Sequence, residues 1–303
     1  MSNPGFSVIV PATTANLGPG FDSVGLALDL YMSVDVTAHS EWTVIYEEEA
    51  FQGLVSDEQN LIVQTIIEVA KRYHKEIAPL QLRVKSDIPL GKGFGSSASA
   101  IAVGIVIADH LLELELTDRD KVLLGSELEG HADNVSAALL GGAVIAYFEA
   151  DEIDYIHVKQ VDAMFVVLVP PKEFKTSEAR GLLPNELSHE KAVRSSSASA
   201  VLTVALAQND WKTVGKMMEK DHLHEPYRKT LFPHYDDIRM FCKDVGAYGM
   251  TISGAGPSLI VTVEEGTEEE IVQELTSRFP YYYSFPVRSS NVGANIQKQN
   301  MPI

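Results

Sequence analysis

One cysteine, Cys242, stands among 303 residues. A lone thiol excludes an intrachain disulfide and fits a reducing compartment. Set in the predicted helix Asp236–Val245, it reads as a buried structural residue. Positive charge is also scarce: 24 Lys and Arg face 42 Asp and Glu, a formal net charge of −18. Nucleic acid and anionic membrane both call for a basic surface, so neither is expected as a partner. Long apolar runs are missing as well. The longest, Ala98–Ala108, is broken by Gly104 and falls far short of the roughly 18 residues that span a bilayer. The first thirty residues show no basic start followed by an apolar core, so no secretory signal is expected and the reading is cytoplasmic. His222, His224 and His234 lack the spacing of a transition-metal site.

What remains is an ordinary globular composition, 45% hydrophobic, in a chain long enough for roughly two domains. Periodicity predicts strands at Ser7–Pro11, Leu26–Ala38, Trp42–Glu48, Leu80–Ser86 and Ala143–Phe148, with a polar loop over Ala12–Asp22. A helix follows Asn60, which reads as its N-cap or as a ligand contact. A second helix runs from the loop after Ser86 to about Leu112, and a third covers Asp118–Leu128. Glu129–Asn134 reads as a polar break. The pattern restarts near residue 155: a strand at Met164–Val169, helices at about 190–208, 211–221 and 235–246, then strand, helix and strand at Leu259–Val263, Thr267–Phe279 and Tyr282–Val287. The fold class expected is α+β in two domains, residues 1–155 and 156–303.

The stretch that organises the chain is Pro89-Leu-Gly-Lys-Gly-Phe-Gly-Ser-Ser-Ala-Ser-Ala100. Its glycines permit unusual backbone angles and close approach of another group. A helix opening directly from such a loop presents free N–H groups and a positive dipole end, which together suit a phosphate. The spacing does not supply G-x-x-x-x-G-K-[ST]. Gly93-x-Gly95-x-x-Ala98 does satisfy the dinucleotide fingerprint, but that motif ordinarily opens a domain. A tight turn before a helix is the plain structural alternative. Ser196–Ala200 repeats Ser96–Ala100 letter for letter with no glycine before it, so it is no second phosphate loop.

The loop resembles the ATP-binding motif of the GHMP kinases, and the resemblance spans most of the chain. Val10–Gly25 is similar to the N-terminal motif of the homoserine kinases within that superfamily. Glu129–Val135, Thr176–Arg180 and His224–Arg228 are similar to segments of the same group, and Thr251–Ser258 resembles the third superfamily motif. Lys92 and Phe94 depart from the residues expected at their positions; Lys92 keeps a positive charge but loses the arginine fork.

The resemblance implies a two-domain GHMP kinase fold, an N-terminal half like ribosomal protein S5 domain 2 and a ferredoxin-like C-terminal half, with the site between them. ATP is expected against Asn60, Pro89, Leu90, Gly91, Lys92, Gly93, Phe94, Gly95, Ser96, Ser97, Ala98 and Ser99. Mg2+ is expected on Ser97 and a glutamate, Glu127 first and Glu129 second. The acceptor implied is L-homoserine, its carboxylate on Arg180 and Arg228, its ammonium and polar edge on Asp22 and Asn16, with Gly254 nearby. Asn134, Asp133 and Thr176 are the candidates beside the reacting hydroxyl, and sequence leaves open which of Asp133 and Asn134 faces it. Two alternatives stay in view: a mevalonate-type acceptor, which has no ammonium, and a non-catalytic nucleotide-binding regulator. Dimerisation is common in the family.

Overall fold

The computed structural model describes residues 5–172 and 176–298. Strand β1 (Phe6–Ala15) pairs antiparallel with β2 (Val24–Ala38), and the register shifts between Pro11 and Ala12. Proline cannot donate to the ladder, so a bulge there is the expected accommodation. β3 (Thr43–Tyr46) leads through α1 (Leu61–Arg72) to β4 (Leu80–Ser86), which lies parallel to β3 and antiparallel to β2. Then follow α2 (Ser96–Leu112), α3 (Asp118–Glu129), α4 (Asp133–Leu140) and the hairpin β5 (Ala143–Glu149) and β6 (Glu152–Val158).

Helix α2 is buried on every side because it packs on β1 while α1, α3 and α4 surround it. Its all-round apolar sequence is the form such a position requires. A Cβ on Gly104 would come within 2.6 Å of Thr65 Cβ, so glycine there lets α1 approach closely.

The second half begins with β7 (Met164–Val169) and continues through α5 (Thr176–Arg180), α6 (His189–Ala207), α7 (Trp211–Met218), α8 (Glu225–Arg228) and α9 (Tyr235–Asp244). It closes with β8 (Gly249–Ile252), β9 (Leu259–Val263), α10 (Glu268–Arg278) and β10 (Tyr283–Arg288). These four strands form an antiparallel sheet in the order β10-β7-β9-β8, the ferredoxin-like arrangement. β7 is buried on both faces. Phe165, Val167 and Val169 join the large core shared with the first half, whereas Met164, Val166 and Leu168 face a second core under α9 and α10.

The α+β expectation therefore holds in both halves. Residue 155, where the sequence suggested a join, lies inside β6. A last strand, β11 (Asn295–Lys298), brings the chain back to pair with β1 in the seven-stranded first sheet. Ser196–Ala200 lies within α6, and Ser96–Ala100 opens α2.

Candidate active site

β11 covers β1 only as far as Ile9. Beyond the bulge, that edge of β1 turns to the glycine loop instead: Thr13 N–H donates to the Phe94 carbonyl at 3.0 Å. Next to it, Ser253 Oγ donates to the Gly93 carbonyl at 2.6 Å and lies 3.0 Å from Thr14 Oγ1. The loop is thus clamped between the end of β1 and the turn after β8. Gly91, Gly93 and Gly95 all have positive φ, and a Cβ on Gly93 or Gly95 would collide with the Ser253 carbonyl or with Thr13 Oγ1. α2 starts at Ser96, and the N–H groups of its first turn have no partner within the helix and open onto the cleft.

The loop between β1 and β2 forms the opposite wall. Asn16, Leu17 and Asp22 all adopt left-handed φ, at 73°, 45° and 54°. For a leucine this is uncommon backbone, and its cost of about 1–3 kcal/mol is a familiar feature of ligand sites. Asn16 closes the loop: its Oδ1 accepts from Asp22 N–H at 2.9 Å and its Nδ2 donates to the Gly254 carbonyl at 2.9 Å. Both ends of the amide are therefore engaged in tying two loops together at the cleft wall.

Two arginines meet across Phe21. Arg180 and Arg228 lie over its ring, 5.6 and 5.3 Å from the centroid. Arg180 forms a bidentate pair with Asp22, at 2.7 and 3.0 Å. Arg228, only 1% exposed, donates to the Ala179 and Gly254 carbonyls and to His224 Nδ1, yet forms no ion pair with a carboxylate among the described residues. Burial, and next the neighbouring charge of Arg180, lower its guanidinium to about 10. Since arginine can only donate, His224 Nδ1 must accept, so its Nε2 carries the hydrogen that reaches the Gly18 carbonyl at 2.9 Å. Asp221 accepts from the backbone N–H groups of Leu223, His224 and Glu225 and so seeds α8. Glu225 bonds Thr251, Ile252 N–H and Arg239, fastening α8 to β8. The segment His224–Arg228 is mostly scaffolding for one guanidinium.

The end of α3 and the start of α4 supply the third side. Ser97 Oγ lies 3.1 Å from Glu129 Oε2, and both line the cleft. Desolvation raises the Glu129 carboxyl above its ordinary range, against the opposing effects of His131 and Ser97. Asp133, nearly buried, accepts from His131 Nδ1 and Asn134 N–H, each at 2.7 Å. Burial works to lower the His131 imidazole, but Asp133 and Glu129 outweigh it and raise it. Thr13 Oγ1 donates to Asn134 Oδ1 at 2.8 Å.

Beyond the α2 N-terminus the cleft continues into an apolar slot. Tyr46 and Phe51 stack at 5.7 Å in its wall, and Leu54, Val55 and Leu61 are exposed along its rim. Asn60 caps α1, accepting from Ile62 N–H at 3.0 Å, and its amide donates to Tyr46 Oη at 2.7 Å. It lines the slot while holding the tyrosine.

The site residues expected from sequence sort into three groups. Asn16, Asp22, Gly91, Gly93, Gly95, Ser96, Ser97, Glu129, Asp133, Asn134, Arg180, Arg228 and Gly254 line one cleft, and Leu90 and Asn60 line the slot beside it. Phe94, Ala98 and Ser99 are interior residues; Ser99 Oγ donates to the Pro11 and Gly95 carbonyls. Lys92 Nζ donates to the Pro171 carbonyl at 2.7 Å, and Pro89 lines neither cavity. Glu127, placed first for the metal, points away from the cleft and pairs with Arg72 on α1. The cleft-facing glutamate is Glu129, the second choice of the two. The side chain of Thr176 lies outside the described residues. Sequence reasoning missed Thr13, Phe21, Tyr46 and Phe51. For Phe51, Leu54 and Val55 a signal existed: apolar residues in an otherwise acidic turn.

Comparison with known proteins places this geometry. The sequence matches the GHMP kinases N terminal domain over residues 60–142 and the GHMP kinases C terminal domain over residues 202–280. The chain belongs to the GHMP kinases. It is 44% identical to the homoserine kinase of Bacillus licheniformis over 91% of this chain and 90% of that one. Identity to the homoserine kinase of Halalkalibacterium halodurans is 39%, covering 98% of each. A crystal structure of homoserine kinase from Cytophaga hutchinsonii superposes with a TM-score of 0.85 at 28% identity, covering 97% of this chain and 98% of that one. A mevalonate kinase structure, with a TM-score of 0.69 at 19% identity over 94% and 99% of the two chains, shares the fold. The protein is thus an ATP-dependent kinase.

Proposed function

We propose that this protein transfers the γ-phosphoryl group of ATP to the side-chain hydroxyl of L-homoserine, giving O-phospho-L-homoserine. The observation that carries the reading is Arg228, a buried cation that forms no ion pair with a carboxylate among the described residues and faces the cleft beside Asp22. Arg228 takes the α-carboxylate, joined by Arg180, and Asp22 takes the α-ammonium. Asp22 and Arg180 satisfy each other across the cleft wall. A zwitterion exchanges that single pair for two, whereas an acceptor carrying only a carboxylate that drew Arg180 to itself would leave Asp22 unmatched. This disfavours a mevalonate-type acceptor.

The phosphates rest on the N–H groups at the start of α2, and the base and ribose enter the apolar slot beside Tyr46. Ser97 Oγ and Glu129 offer two hard oxygen donors close together, a set that fits Mg2+, which takes few protein ligands and completes its shell with phosphate oxygens and water. Bound there, the ion would neutralise charge on the β- and γ-phosphates. Asn134 stands beside the acceptor hydroxyl as a hydrogen-bond donor, and the hydroxyl proton leaves to phosphate or solvent. Asp133, already accepting from His131 and Asn134, holds the turn.

The test is an ADP-release assay with ATP and Mg2+ over homoserine, serine, threonine, mevalonate and galactose. Homoserine should show the highest kcat/KM. A panel with no preference for it overturns the substrate assignment.

A further inference from the structure

Thr13 is wholly buried, sits on β1 outside the expected site residues, and touches both halves of the reaction centre. Its backbone N–H holds the Phe94 carbonyl of the phosphate loop at 3.0 Å. Its hydroxyl donates to Asn134 Oδ1 at 2.8 Å. A Cβ on Gly95 would overlap Thr13 Oγ1 and come within 3.1 Å of Asn134 Oδ1, so loop, threonine and asparagine are in mutual contact.

We propose that Thr13 is a positioning residue for phosphoryl transfer: its hydroxyl locks the Asn134 amide with the nitrogen turned toward the acceptor oxygen. The inference rests on the acceptor reading above. An asparagine amide can lie either way round, and its neighbours decide. The threonine hydroxyl has one hydrogen to give, and it goes to Oδ1. On the other side stands Asp133 Oδ1, which only accepts and lies 3.4 Å from Asn134 Nδ2. The carboxylate selects the orientation, and the hydroxyl, able to donate or accept, then donates to Oδ1 and fixes it. Oδ1 is thereby engaged away from the acceptor, while Nδ2, with only that long contact among the described residues, keeps a hydrogen for the cleft. The same threonine sets the distance from this donor to the phosphate loop. Reacting groups must be held to within a fraction of an ångström, because a 1 Å error costs about 10²-fold in rate.

The experiment is a double-mutant cycle on the full chain, Thr13→Val, Asn134→Ala and the double variant, with Thr13→Ser and Thr13→Ala beside it. Valine copies the shape of threonine and removes the donor; alanine makes the same prediction if valine does not fold. Expected for Thr13→Val is a fall in kcat of about 10- to 100-fold, with KM for homoserine and for ATP each moving less than about three-fold. Thr13→Ser should recover most of kcat. In the Asn134→Ala background the valine change should cost nothing further. A kcat within two-fold of the wild type, losses that multiply, or a rise confined to KM for ATP would each overturn the proposal, the last because the hydroxyl would then be serving phosphate. Wild-type turnover of homoserine is measured in the same series. If the wild type prefers another acceptor, the substrate reading fails, and the cycle on that acceptor still decides the role of Thr13.

Discussion

On the proposed acceptor reading, Arg228 and Arg180 differ in what each gives up to take the substrate carboxylate. Arg228 is buried and forms no ion pair with a carboxylate among the described residues, so a carboxylate there meets a desolvated cation. Arg180 is about a third exposed and must first part from Asp22. A charge-assisted hydrogen bond contributes about 1.5–3 kcal/mol, which is about 10- to 150-fold in binding. Arg228→Ala should therefore raise KM for homoserine by about 100-fold. Arg180→Ala should raise it by less, and neither should move KM for ATP more than about two-fold; equal effects on both substrates in initial-rate kinetics would contradict this division of labour. A second prediction concerns Glu129. Desolvation raises its carboxyl, so the charged form a cation needs appears only above the ordinary glutamate range. The concentration of Mg2+ that gives half-maximal activity should fall as pH rises through that raised value, and Glu129→Gln should flatten the dependence. Sequence alone could not choose this glutamate over Glu127. Residues two apart on a helix point roughly 200° from each other, so one faces solvent and the other the cleft, and only the placement of α3 against α1 says which.

The long elements were legible because each has one clear period or one uninterrupted apolar run: α2, β4 and β7 lie where the patterning put them. The short ones were not. α4 was hidden inside a polar stretch because its N-cap, Ala132, carries no capping side chain and its first residues are the site's own Asp133 and Asn134. β8 and β11 have four residues each and take their stability from partners far along the chain, so no local period announces them. α8 is a single turn held by Asp221 and Glu225, contacts that only the folded chain brings about. The placement of α4 rests on one glycine. A Cβ on Gly25 would collide with the Asp133 carbonyl and come within 3.2 Å of Ala137 Cβ. Gly25→Ala must push the helix off β2, taking Asp133 and Asn134 with it. It should lower Tm by several degrees and cut kcat by more than tenfold. An alanine variant with unchanged kcat would mean that α4 can shift without moving the reacting groups.

At the scale of the whole chain the site lies where two sheets meet, and the meeting is a shared core, not a hinge between separate cores. Phe165, Leu202, Leu206, Trp211, Val214 and Val287 from the second half belong to the same buried cluster as Val8, Leu26 and Ile105 from the first. β11 crosses back to the first sheet, and Ala294 N–H donates to the Ala138 and Leu139 carbonyls of α4. Such sharing was beyond sequence reasoning, which finds a change of pattern near residue 155 but cannot see which side chains interdigitate across it. Its consequence is that neither half should unfold alone. The chain has two tryptophans, and each half holds one in a buried position: Trp42 just before β3, and Trp211 packed edge-on against Phe165 at 5.5 Å. Trp42→Phe and Trp211→Phe leave one reporter apiece. In urea the fluorescence of each single-tryptophan variant should give a transition coincident with that variant's own far-UV circular dichroism, as one cooperative unit requires. If the emission of one tryptophan changes at a urea concentration where the circular dichroism of the same variant is still native, the halves are separable. The cleft between them would then owe its geometry to a docking interface and not to a common core.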